Sequence, residues 1–206
     1  MRRVPILPTI LVALAVAMMI GLGLWQLLIR LPQKEAQLAQ LAANPSRPPI
    51  AFPMTPDDSL LFRRSTLDCG KVTAITRAGA GAAGYRLIAQ CLTPNGIAKV
   101  QLGTTHDPVK EVSWVGGPVS GWISHAPDAT PLGAQLFKPA PRELLLVADR
   151  PADGLAANSR PNVSLVPNNH LAYAGQWFFF AAVAAVIYVL ALRRRGRPAG
   201  PPRRER

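Results

Sequence analysis

The sequence predicts a membrane protein of the α+β class, with two transmembrane helices flanking a periplasmic antiparallel β-sandwich or small β-barrel domain. Two charge-free runs predict the helices, one from Val4 to Leu28 and one from Leu171 to Leu192. Each run exceeds the roughly 20 residues that cross a bilayer core. Between them lie short β-like runs separated by Gly- or Pro-containing turns, a pattern typical of a sandwich or small barrel.

The net charge of +12 lies mostly in the two terminal tails. Arg2 and Arg3 contribute +2, and residues 193–206, with seven arginines and one glutamate, contribute +6. Basic residues beside membrane spans mark the cytoplasmic side. We therefore expect a bacterial inner-membrane protein with both termini in the cytoplasm and the middle of the chain in the periplasm. The basic tail is expected to meet anionic membrane lipid, and no nucleic-acid partner is expected.

A cleaved signal peptide is the alternative for the first span. Met1 to Arg3 has the charge of an n-region, and Ala15-Val16-Ala17 has the small residues of a cleavage site. Apolar sequence continues to Leu24 without a polar start for a mature chain, which favours a retained helix. The middle of the chain is exported in either case.

The chain divides into seven segments on this interpretation. They are a cytoplasmic N-terminus (1–3), a first transmembrane helix (4–28), a juxtamembrane helix with a Pro-rich linker (29–59), the β domain (60–149), a return linker (150–170), a second transmembrane helix (171–192) and a basic cytoplasmic tail (193–206). Six runs in the β domain are predicted strands: Lys71–Thr76, Tyr85–Leu92, Ile97–Leu102, Glu111–Val115, Val119–Ser124 and Leu144–Val147.

Cys69 and Cys91 lie in the exported segment, where disulfides persist. A hairpin centred on Ala80 would place these two residues opposite each other. Directly opposed residues have Cα atoms about 4.5–5.5 Å apart, within the range that a disulfide tolerates. We therefore expect a disulfide, with two buried free thiols as the alternative. No CxxC pair or nearby histidine indicates redox or metal chemistry at either cysteine.

The sequence contains no motif that indicates a catalytic residue. There is no HExxH, Walker or GxSxG motif, and no two of His106, His125 and His170 are close in the sequence. Gly79–Gly84 matches GxGxxG in letters, but it follows no buried strand into a helix and is expected to be a hairpin turn. An enzyme is the weaker alternative, with His106 or His125 and the aspartates near them as its acid–base candidates.

Polar and aromatic residues gather where both spans are expected to reach the outer face. The second helix has one stripe, formed by His170, Tyr173 and Trp177. The first helix has a polar pair at i and i+4, Gln26 and Arg30, with Trp25 next to Gln26 in the sequence. The aromatic residues have an alternative role as an interfacial belt, and Asn168 or Asn169 as a helix cap. His170 fits neither role. A neutral imidazole is a ligand for haem iron, and a nearby arginine suits haem propionates.

These same stretches resemble the signatures of a known family. Pro167–Ala181, PNNHLAYAGQWFFFA, resembles the start of the second span in the surfeit locus protein family of cytochrome c oxidase assembly factors. Gly21–Leu38, GLGLWQLLIRLPQKEAQL, resembles the family's Leu-Gly-x-Trp-Gln signature and the basic residues that follow it. The order of span, exported domain and span also fits. The family's Arg-Gly-(Trp or Phe)-Val-Pro type segment has no clear match in the middle of the chain.

The resemblance implies an assembly factor, not an enzyme, for a haem–copper cytochrome c oxidase. Such a protein would bind haem a transiently and pass it from haem A synthase to the large oxidase subunit. In bacterial members the histidine of the second-span motif is the haem-associated residue, which implies His170 as the ligand of the haem iron. The remaining haem-binding candidates are Trp25, Gln26, Arg30, Tyr173 and Trp177. The alternative is a haem-free scaffold that stabilises an oxidase intermediate through its β domain.

Overall fold

The computed structural model describes residues 5–128 and 141–195. The chain forms two compact units. One unit contains the chain up to Ala36 and from Pro167 onward, and consists of long helices. The other, Gln37–Val166, contains a β-sheet. Two helices are long and apolar enough to cross a membrane, as predicted.

Three α-helices are described, namely α1 (Ile6–Trp25), α2 (Leu31–Ala43) and α3 (His170–Arg195). A five-residue π-helical turn, Gln26–Arg30, joins α1 to α2. Pro32 explains this turn, because proline has no N–H group and its ring clashes with the carbonyl group four residues earlier. The N–H of Leu31 instead donates to the carbonyl oxygen of Gln26, five residues back.

Helices α1 and α3 pack against each other along stripes with spacings of three and four residues. The less exposed positions on α1 include Thr9, Val12, Val16, Met19 and Gly23, and Gln26 continues them in the π turn. Those on α3 include His170, Ala174, Trp177, Ala181, Ala184 and Tyr188. Small residues let helix backbones approach closely in a membrane. A Cβ atom on Gly23 would lie only 2.7 Å from Cε1 of Phe178, so the helices meet closely there.

The described part of the second unit has seven strands. They are β1 (Ile50–Ala51), β2 (Arg64–Cys69), β3 (Lys71–Gly79), β4 (Tyr85–Thr93), β5 (Gly96–Thr105), β6 (Gly117–His125) and β7 (Leu144–Ala148). Their order in the sheet is β1-β2-β6-β7-β5-β4-β3. Five of the six predicted strands are present. The predicted strand Glu111–Val115 is wrong, and the sequence pattern missed β1 and β2.

The sheet is mixed, so the prediction of a purely antiparallel domain is wrong. β1 pairs in parallel with β2, and β5 pairs in parallel with β7. β7 lies between β5 and β6, and all five of its residues are buried. A continuous apolar run such as LLLVA is typical of a strand covered on both faces.

Cys69 and Cys91 form a disulfide, with their Cα atoms 5.2 Å apart. The expected hairpin register, with Cys69 opposite Cys91, is wrong. The turn at Gly81–Ala83 sets Val72 opposite Cys91, whereas Cys69 ends β2 opposite Gly117. The disulfide therefore joins β2 to β4, which are not neighbours in the sheet. The sheet must curl to bring these strands together.

The β unit begins earlier in the chain than its predicted start at residue 60. Leu41, Asn44 and Phe52 are buried, and both apolar residues belong to the same core as Val100 and Leu146. The Pro-rich segment is thus extended but packed, because burying Phe52 removes a large apolar surface from water. The backbone N–H of Phe52 donates to the carbonyl oxygen of Thr66 in β2.

Candidate functional site

His170 and Gln26 join the two long helices through a hydrogen bond. His170 is the first residue of α3, and Gln26 begins the π turn after α1. Nδ1 of His170 lies 2.8 Å from Oε1 of Gln26. A carboxamide oxygen can only accept, so Nδ1–H of His170 donates. Both residues are half-buried. The bond uses one nitrogen of the imidazole and leaves Nε2 out of the contact.

The packing of the helix pair places this bond. Gln26 follows Gly23 by three residues on the contact stripe of α1, and His170 precedes Ala174 by four on that of α3. Gly23 and Ala174 are buried between the helices, which brings the next polar side chains within reach. Asn168, just before α3, has a buried Oδ1 atom without a hydrogen-bond partner in the described part of the chain.

Arg30 lies over Trp25 instead of following Gln26 on the contact stripe. The guanidinium carbon of Arg30 is 5.6 Å from the centroid of the Trp25 ring, and Nη1 donates to Oε1 of Gln33 at 3.3 Å. The contacts of Arg30 are thus with Trp25 and Gln33, and the expected stripe of Gln26 and Arg30 stays a prediction. Within the π turn the backbone hydrogen bond runs to the carbonyl group five residues back, so the spacing of side chains around the axis differs from that of an α-helix. Arg30 and Trp25 are both exposed.

Tyr173 and Trp177 lie on the same side of α3 as His170, three and seven residues further along. Tyr173 is exposed and Trp177 is half-buried. Between them, Ala174 is buried in the helix contact. Trp177 therefore lies on the line where α3 meets α1, and Tyr173 lies to one side of that line.

The family model described as the SURF1 family matches residues 13–182. The chain belongs to the SURF1 family. The match covers the β unit and part of each long helix, and it confirms the resemblance found in the sequence. The SURF1 family is associated with cytochrome c oxidase assembly and is a family of assembly factors, not a known enzyme family. No curated protein and no solved structure matches the chain significantly.

The helix ends of this SURF1-family chain have side chains that fit haem. Haem iron accepts an imidazole nitrogen, and Nε2 of His170 remains out of the contact with Gln26. Carboxylate groups pair with guanidinium groups, and Arg30 is exposed with only Gln33 as its hydrogen-bond partner among the described residues. Trp25, Tyr173 and Trp177 supply aromatic surface nearby on the two helices.

The β unit has a separate cluster of polar side chains, which the sequence pattern missed because β2 was not predicted. Arg64 lies over the Trp122 ring, 4.9 Å from its centroid, and forms a salt bridge with Asp149. Oγ of Ser120 donates to the same carboxylate at 3.3 Å. A cavity of about 450 Å³ borders this cluster and is lined in part by Arg64, Ser120 and Trp114. Arginine and tryptophan are common at the centres of protein interfaces.

The other two histidines lie outside any catalytic arrangement in the described residues. Nε2 of His125 lies 2.8 Å from Oδ1 of Asp58, and His106 is exposed in the loop after β5. No group of three His, Cys, Asp or Glu side chains within residues 5–128 and 141–195 is placed to hold a metal ion.

The pKa of Asp57 is lowered because its carboxylate accepts hydrogen bonds from the side chain and backbone of Ser59.

Proposed function

We propose that this chain binds haem a at the ends of α1 and α3 and assists its insertion into the large subunit of a haem–copper cytochrome c oxidase. The haem would come from haem A synthase. Membership of the SURF1 family supports the assembly role. The observation that carries the haem-binding role is the hydrogen bond between Nδ1 of His170 and Oε1 of Gln26, which holds the imidazole at the helix junction with Nε2 available.

The other candidates have roles that follow from their chemistry. Arg30 would pair with a haem propionate, since its guanidinium is exposed and stacked on Trp25. Tyr173 and Trp177 would contact the apolar face of the porphyrin, which is favoured because aromatic side chains bury large areas. None of these three side chains needs to form a covalent bond with the haem. The exposure of the site suits a carrier that must release its haem again.

In this proposal the β unit lies in the periplasm and both termini lie in the cytoplasm. Arginines flank the two apolar helices, at Arg2 and Arg3 and again from Arg193 onward. The disulfide between Cys69 and Cys91 supports an oxidising compartment for the β unit. A cysteine introduced as Asn95→Cys should react with a membrane-impermeant maleimide added to whole cells. One introduced as Arg204→Cys should react only after the membrane is opened.

Haem binding is tested by purifying the protein from cells that make haem a and recording its absorption spectrum. We expect haem a bands in the parent and in His106→Ala, which removes an exposed histidine of the β unit. We expect His170→Ala to lose most of the bound haem. An unchanged haem content in His170→Ala would remove His170 from the ligand role.

A haem-free scaffold is the second candidate function, and the cluster around Arg64 and Trp122 is the observation that favours it. Oxidase haem content distinguishes the two functions in cells that carry either His170→Ala or the pair Arg64→Ala and Trp122→Ala. The carrier role predicts that His170→Ala lowers oxidase haem a while the protein still accumulates. The scaffold role predicts that only the cluster variant lowers it.

A further inference from the structure

The hydrogen bond from His170 to Gln26 selects one form of the imidazole. A neutral imidazole has one N–H nitrogen and one lone-pair nitrogen, and the partner of the bonded nitrogen decides which is which. Oε1 of Gln26 has no proton to give, so Nδ1 of His170 carries the proton in the 2.8 Å contact. In the neutral imidazole, Nε2 then keeps its lone pair.

Arg30, four residues after Gln26, makes its contacts with Trp25 and Gln33. In an unbroken α-helix, Arg30 would stand about 40° around the axis from Gln26 and about 140° from Trp25. A guanidinium beside Gln26 would compete for its amide oxygen, because arginine has five N–H donors. In the structure, the guanidinium of Arg30 instead lies over Trp25. The oxygen of Gln26 is left to His170.

We infer that Gln26 is a positioning residue for haem, whose amide oxygen holds His170 in the Nδ1–H tautomer so that Nε2 faces the iron. The inference rests on the proposed function for the identity of the ligand. Histidines that bind metals generally donate their other N–H to an acceptor, which orients the ring and raises its basicity. Here the acceptor belongs to the other helix, so the ligand site forms only when α1 and α3 are paired.

The tautomer is tested first without haem, in the full chain held in lipid nanodiscs. Nitrogen NMR of ¹⁵N-labelled histidine reports which ring nitrogen carries the proton, and His170→Ala identifies the signal. We expect the Nδ1–H tautomer in the parent, in Gln26→Glu, which keeps an acceptor, and in the control Gln40→Leu, at an exposed position of α2. We expect Gln26→Leu to show a mixture of tautomers. An Nε2–H tautomer in the parent, or an unchanged signal in Gln26→Leu, would overturn the inference.

The effect on haem is tested by titrating the same four proteins with haem. Losing an acceptor behind a ligating histidine typically lowers metal affinity by about 10–100-fold, and we expect this loss in Gln26→Leu but not in Gln40→Leu. Gln26→Glu should keep its haem and lower the reduction potential, because a carboxylate makes the imidazole a stronger electron donor. A residue that only tied the helices together would leave that potential unchanged, which would overturn the inference.

The two proposals fail in different ways. If His170→Ala binds haem as well as the parent, the proposed function fails, whereas the tautomer assignment in the haem-free protein stands. If His170→Ala loses haem but Gln26→Leu matches the parent in tautomer and affinity, haem binding by His170 stands and the positioning role of Gln26 falls.

Discussion

Oγ1 of Thr9 and the phenol oxygen of Tyr188 lie 2.5 Å apart, at the opposite end of the helix pair from Gln26 and His170. The two polar contacts thus bound the apolar stretch on which α1 and α3 meet. From Thr9 to Gln26, α1 rises about 26 Å at 1.5 Å per residue. This length is close to the roughly 30 Å of a bilayer's hydrocarbon core. The two hydrogen bonds therefore mark the expected edges of the membrane on the helix pair.

Removing the hydrogen bond between Thr9 and Tyr188 should loosen the helix pair modestly. Interhelical hydrogen bonds in membranes contribute about 0.6 kcal/mol on average. We expect Tyr188→Phe to lower the free energy of unfolding by about that amount in detergent, measured by SDS titration with tryptophan fluorescence. A double-mutant cycle with Thr9→Ala should recover the same coupling energy. A coupling energy of zero would show that the contact does not hold the helices together.

Gly23→Ala should destabilise the helix pair far more than Gly21→Ala. A Cβ atom at Gly23 would lie 2.7 Å from Cε1 and 2.9 Å from Cζ of Phe178, whereas one at Gly21 has nothing within 4 Å. Overpacking of this kind costs about 1–3 kcal/mol. SDS titration should show this loss for Gly23→Ala and a change below about 0.5 kcal/mol for Gly21→Ala.

Phe178→Ala in the Gly23→Ala background provides the control for that steric explanation. The smaller side chain removes the clash, so the double variant should lose less stability than the sum of the two single losses. Simple additivity of the two losses would mean that Gly23 and Phe178 do not meet as described.

The two long helices can be predicted because the sequence pattern that indicates each of them is local. The charge-free runs identify both helices, and the spacing from His170 to Trp177 places those residues on one side of α3 without any knowledge of the partner helix. The π turn was not apparent, because it follows from the effect of Pro32 on residues before it, while the sequence pattern was interpreted with one helical period throughout. The contact of Arg30 with the Trp25 ring is likewise not visible in a pattern of four-residue spacings.

The sheet was predictable in its strands but not in its pairing. Strands β4 and β7 are both visible as short apolar runs, since strand formation depends on local side-chain pattern. The insertion of β7 between β5 and β6 depends on contacts between distant parts of the chain. The cysteines illustrate the difference. An exported chain with two cysteines favours their pairing, but the hairpin expected to align Cys69 with Cys91 has another register.

The disulfide should contribute substantially to the stability of the β unit. It closes a loop between residues 22 apart in the sequence and lies in the core, where Cys69 and Cys91 are almost fully buried. Loop closure of this size stabilises by about 3 kcal/mol in the chain-entropy model. We expect the double variant Cys69→Ala, Cys91→Ala to unfold at lower urea concentration by a corresponding amount.

A reducing agent provides the control for this prediction. It should lower the urea midpoint of the parent towards that of the double variant and should leave the double variant unchanged. A parent that is insensitive to reduction, although thiol titration shows both cysteines free, would contradict a stabilising role for the bond.

Asn44 should stabilise the β unit by joining the end of α2 to the segment around Ser59 and Leu61. It is fully buried, and its Nδ2 donates to the carbonyl oxygens of Ser59 and Leu61, each at 2.7 Å. Asn44→Ala removes both donors and leaves the two carbonyl groups without them, a loss that typically costs about 1–3 kcal/mol. Asn44→Asp should cost more, because a carboxylate would face two carbonyl oxygens. Urea unfolding of the full chain should rank the variants in that order, with Asn95→Ala, in an exposed turn, close to the parent. If Asn44→Asp were as stable as Asn95→Ala, the amide could not be the donor to both carbonyl groups.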